Sequence, residues 1–149
     1  MMQRERNKNK RERGHAVIEI ALMAPWIFLL FIGIYDVGFY SYAAICTQNA
    51  ARAAALAAAE TATAIVSPCN AALGELRMLP NINQSMTCGS LPLVVSVQTL
   101  ATCTQCGATA YPTKQASVQY QSIPVFLMPG IMNGQMTLTR VAEMRVISP

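Results

Sequence analysis

Residues 16–34 make a run of 19 in which Glu19 is the one charged side chain. A helix needs roughly 20 apolar residues to span bilayer hydrocarbon, so this run is long enough to cross a membrane. It is apolar on every face, as a helix surrounded by lipid must be. A carboxylate near the start of such a helix is expensive unless something neutralises it, which marks Glu19 as a functional residue in search of a partner.

The charge in front of the run sets its orientation. Residues 1–13 hold six Lys/Arg against two Glu, a surplus of +4, while residues 14–149 hold five Lys/Arg against five Asp/Glu. The body of the chain is neutral and the leader carries the whole net charge. Basic residues beside a first hydrophobic segment stay on the cytoplasmic side, so the N-terminus is expected inside and the C-terminal region outside. Basic arms also bind nucleic acid, but an apolar run directly behind this one argues for a membrane role and against nucleic acid. Charged residues are 12% of the chain, about half the usual share.

The helical signal continues past the membrane. Pro25 lies inside the run, where membrane helices tolerate the lost donor with a kink or local loosening. Tyr35, Tyr40 and Tyr42 follow at the expected boundary, where tyrosine rings settle. Residues 41–66 then hold twelve alanines with no Gly or Pro, and alanine is the strongest helix former. One helix over residues 16–66 would be on the order of 75 Å long at 1.5 Å per residue, with Ser67-Pro68 as its stop. Its small side chains suit close approach, either to the chain's own outer domain or to helices of other copies.

Beyond Pro68 the texture is that of a small β-rich domain. Residues 69–92 are mixed and rich in turn residues. Residues 93–100, 116–121 and 135–146 read as strands from their β-branched content and alternation, with residues 124–130 between the last two as a loop or a single helical turn. Three antiparallel strands need a cover on one face, and the alanine-rich helix supplies it. The expected fold is α+β: a long N-terminal helix, transmembrane and then stem, packed on a small antiparallel sheet. The expected segments are a leader (1–14), the helix (15–66) and an extracytoplasmic domain (67–149).

Four cysteines, Cys69, Cys88, Cys103 and Cys106, fall in that outer domain, and Cys46 on the stem. Four cysteines in a small extracytoplasmic region point to two disulfides with three possible pairings. Cys103-Thr104-Gln105-Cys106 has the spacing of a redox pair or half a zinc site, but lies in Thr-rich sequence without basic neighbours. Cys69 and Cys88 are nineteen apart, which is not a matching second half. His15 is the one histidine and has no second catalytic group in view. No nucleophile elbow or phosphate loop is present, so the chain reads as a non-enzyme without a cofactor.

A basic leader, a glycine and a carboxylate five positions on in an apolar helix resemble the class III signal of type IV pilin-like proteins. The resemblance is closer to the TadE-like pseudopilins of tight-adherence (Tad/Flp) pilus systems. It is carried by Arg13-Gly14, Val17-Ile18-Glu19-Ile20-Ala21-Leu22, Pro25, Gly33-Ile34-Tyr35-Asp36-Val37-Gly38 and Asn49-Ala50-Ala51-Arg52. It covers residues 11–59 well, residues 138–145 loosely, and the cysteine-bearing middle not at all. Ile20 after the glutamate and a length of 149 residues separate the chain from major Flp pilins, which are shorter and usually place tyrosine there.

The resemblance implies cleavage by a prepilin peptidase between Gly14 and His15, and a single-pass inner-membrane protein with a periplasmic C-terminal domain that can enter an extracellular pilus. Its implied partners are the peptidase, other pilin or pseudopilin subunits, and the inner-membrane assembly platform. Glu19 would be neutralised by the new amine of His15 on the same or a neighbouring subunit. Two rivals stand beside it. A Sec signal peptide would use Ser41-Tyr42-Ala43 as its site. A tethered redox or metal module would use Cys103 and Cys106.

Overall fold

In a computed structural model of the chain, the described residues are 2–60, 66–100, 112–123 and 135–146, without the side chains of 2–14 and 16. The expected loop at 124–130 lies outside them. The order of elements is α1 (Met2–Ala59), α2 (Pro68–Leu76), β1 (Gly89–Ser90), β2 (Leu93–Leu100), β3 (Thr113–Ser122) and β4 (Met136–Arg145). The chain divides into two compact units, Met1–Gly38 and Phe39–Pro149.

The first unit is helical. Helix α1 runs through Pro25 without a break, although proline has no N–H to offer the carbonyl four residues back. Its side chains are solvent-facing almost throughout. Phe28 is 70% exposed and Ile34 72%, values that bury nothing and need another apolar phase around them. A Cβ placed on Gly33 or Gly38 would meet nothing within 4 Å.

The second unit holds the core. A four-stranded sheet in the order β1-β2-β3-β4 is antiparallel throughout. Register aligns Leu93 with Tyr120 and Val95 with Val118, and Tyr120 with Leu138 on the other side. Ala116, Val118 and Tyr120 alternate inward along β3 and are fully buried, as the period of two requires. They form one cluster with Leu73, Leu76 and Leu79 and with the α1 alanines Ala43, Ala50, Ala51, Ala54 and Ala55. Each large side chain buried in that cluster contributes about 1.5–3 kcal/mol. The Tyr120 hydroxyl donates to the Pro80 carbonyl at 2.8 Å. Burial, opposed by a hydrogen bond with Ser122, pushes the phenol up to about 12.

Strands β2, β3 and β4 fall where alternation places them. The short β1 pairs Gly89 with Val94, inside the stretch expected to be turns. Two boundaries differ from expectation. Helix α1 closes at Ala59, not Val66, with residues 61–65 outside the described set. Ser67-Pro68, expected as a stop, opens α2: the Ser67 hydroxyl accepts from the Asn70 N–H at 3.2 Å and Pro68 sits in the first turn. Serine at the N-cap and proline at the next position satisfy a helix start, where the missing N–H costs nothing.

Candidate functional site

The site that the sequence singles out lies on α1 at the start of its apolar run. His15 and Glu19 are both exposed and stand four residues apart, which places them one turn from each other on a helix. Around Glu19, Val17 is 66% exposed and Ile20 69%. No hydrogen bond or ion pair joins Glu19 to another group among the described residues. A single carboxylate therefore stands in a sleeve of exposed Val, Ile, Leu, Phe and Trp side chains. The helix is long and apolar enough to cross a membrane: its most apolar window, within Val17–Ala59, has mean hydropathy 2.4 and none of it is buried. The side chains of residues 1–14 lie outside the description, so around Gly14 the backbone helix is what is seen.

The TadE-like family model matches residues 14–56. This segment is TadE-like. The match begins at the glycine that precedes His15 and runs through Glu19, Pro25, Asp36 and Arg52 to the buried alanines of the stem. No match to the chain was found among curated proteins or solved structures. Over residues 14–56 the chain is similar to the TadE-like family, and the same stretch holds one helix long and apolar enough to cross a membrane.

The cysteines separate into three groups. Cys69, in α2, and Cys88, just before β1, are joined as a disulfide with Cα atoms 5.7 Å apart. Cys103 and Cys106 fall in residues 101–111, outside the description. Cys46 is a buried free thiol on the TadE-like helix. Among the described residues, no group of three or more His, Cys, Asp or Glu is gathered to hold a metal.

Two features were not singled out from the sequence. Asp36 is 2% exposed, and both of its carboxylate oxygens are buried without a hydrogen-bond partner among the described residues. It precedes Ala43 by seven residues, so the spacing itself puts it in phase with the buried alanine stripe. The second feature is the division of the stem into faces. The alanines pack on the chain's own sheet, while Asn49, Arg52, Ile45 (60% exposed) and Leu56 (55%) point outward. Packing on the chain's own domain is one of the two uses open to the small side chains.

Proposed function

We propose that the chain is a pilin-like, TadE-like subunit of a tight-adherence pilus, inserted by residues 15–38 and assembled through that helix. The observation that carries this reading is a lone carboxylate, Glu19, on a fully exposed apolar helix within the family match. In this reading a prepilin peptidase cuts after Gly14, removing the +4 leader and creating an amine on His15. The amine is cationic and Glu19 anionic. In a low-dielectric setting their attraction far exceeds its value in water, whereas a lone buried carboxylate is strongly unfavourable.

Neutralisation by the amine of the same or an adjacent subunit then fixes the register of neighbouring helices. The uncut leader, held in the cytoplasm by its charge, prevents that pairing. The outer domain is carried on the far side of the membrane, where a Cys69–Cys88 bond is chemically stable. Adhesion is a property of the assembled filament in this scheme.

The test is Glu19→Ala. The variant should insert and fractionate with membranes as the parent does, and fail to assemble; normal pili from it would refute the scheme. N-terminal sequencing of the mature chain separates the rivals: His15 supports peptidase cleavage, Ala44 a Sec signal peptide, and Met1 an uncut anchor. Thiol titration of the purified chain addresses the redox and metal alternative at Cys103 and Cys106.

A further inference from the structure

Residues 14–51 hold no Lys or Arg. Ahead of them come Arg4, Arg6, Lys8, Lys10, Arg11 and Arg13, set against Glu5 and Glu12. From Ala16, where the apolar run starts, to Arg52 is on the order of 50 Å of helix at 1.5 Å per residue. That exceeds the thickness of a bilayer with its headgroups. At the membrane face beside Gly14, the basic residues are therefore those of the leader.

The backbone sets how far each charge stands from the membrane. Helix α1 begins at Met2 and passes through Gly14 into the apolar run without a break, so leader and run share one axis. Counted along it from Ala16, Arg13 lies about 4.5 Å out, Arg11 about 7.5 Å and Lys10 about 9 Å. Lys8, Arg6 and Arg4 lie about 12, 15 and 18 Å out. The headgroup layer of one leaflet is about 5–8 Å deep, and salt screens charge over about 8 Å under physiological conditions. The inner three basic residues thus stand at the level of lipid phosphates, and the outer three stand in screened solution beyond them. Each set includes one glutamate, Glu12 within the inner and Glu5 within the outer. The two sets carry equal net charge, and distance is what separates them.

We propose that the uncut leader binds the phosphates of anionic lipids in the adjoining leaflet, chiefly through Lys10, Arg11 and Arg13. The partner is a lipid surface because these residues directly precede a helix long and apolar enough to cross a membrane. It is anionic because the leader keeps a surplus of positive charge after both glutamates are counted. A basic residue next to a membrane gains about fivefold in affinity from an anionic leaflet. Removal of the leader would take this binding surface away whole, since no Lys or Arg follows before Arg52. The inference rests on the membrane insertion proposed above, and needs neither the Glu19 pairing nor a pilus.

The experiment places the full chain in bilayer discs of phosphatidylcholine with a minor share of phosphatidylglycerol. Lipids that stay with the chain are counted by native mass spectrometry. Quenching of Trp26, the one tryptophan, by brominated acyl chains reports insertion separately. Phosphatidylglycerol should be enriched around the chain by about fivefold or more over its share of the bilayer, and the enrichment should vanish at about 1 M salt. Substituting Lys10→Gln, Arg11→Gln and Arg13→Gln together should abolish most of it. The triple Arg4→Gln, Arg6→Gln and Lys8→Gln should lower it by about twofold or less, with Trp26 quenched alike in all three chains. No enrichment, enrichment that survives high salt, or equal losses from the two triples would overturn the proposal and leave insertion standing. So would a nucleic-acid duplex that displaces the lipid, since nucleic acid would then be the preferred partner. An unquenched Trp26 would overturn the insertion reading, and this proposal with it.

Discussion

Ala54 shows how much a single small side chain decides. It is fully buried between the stem helix and the sheet cluster, where closeness of approach depends on having no more than a methyl group. Ala54→Leu should destabilise the outer unit by about 1–3 kcal/mol through overpacking, seen as a lower midpoint in urea. Leu56, two residues on and 55% exposed, should accept Ala with little change. Asp36 works in the opposite sense. Its buried, unpartnered carboxylate is a liability, so Asp36→Ala should raise stability by about 1 kcal/mol or more, measured as the thermal midpoint in detergent.

Tyr120 gives a pH signature. Its phenol lies at about 12 in the folded chain, against 10.0 for the free group, chiefly because it is buried. Below pH 10 it is protonated in both folded and unfolded chains, and its contribution is fully present. Between pH 10 and about 12 the unfolded chain gives up the proton and the folded one keeps it, so stability falls as pH rises. Tyr120→Phe should flatten the decline in alkaline denaturation followed by circular dichroism.

At the scale of elements, α2 depends on two local devices. The Ser67 hydroxyl caps its first turn, and Ser67→Ala should cost about 1 kcal/mol. The Cys69–Cys88 link ties the same turn to the start of β1 across a sequence separation of 19. Loop-closure entropy makes a link of that span worth roughly 3 kcal/mol. Reduction should therefore lower the thermal midpoint of the full chain, and a Cys69→Ala, Cys88→Ala variant should melt at the reduced value whether or not reductant is present.

Long elements were legible from sequence for a physical reason. β-branched content places Leu93–Leu100 to the residue, and alternation places the middle of β3, where Ala116, Val118 and Tyr120 face the core. The apolar run of α1 declares itself by length and absence of charge. Short elements were not legible. Helix α2 has nine residues and β1 two, too few for a period to emerge. Glu19 could be picked out because a charge in an apolar run stands alone. A trough beside Arg52 could not, since it joins Gln48 and Arg52 to residues 115 and 141–144 through a register that no local pattern encodes.

For the molecule as a whole, the two units have opposite chemistry. Among the described residues, Met1–Gly38 exposes nearly all its large apolar side chains, and Phe39–Pro149 holds the buried cluster. A fragment of residues 39–149 should consequently remain in the soluble fraction, while the full chain should stay with membranes after an alkaline wash. Hydropathy, written linearly along residues 16–34, determined a helix long and apolar enough to cross a membrane, and its lone acid, because a bilayer acts on each residue by its polarity. Which face of the alanine stem is buried, where Ser67 begins a new helix, and the company of Arg52 were decided in three dimensions. Those outcomes depend on which surfaces meet when the sheet closes against α1, and that meeting is set by cooperative packing rather than by any stretch of sequence.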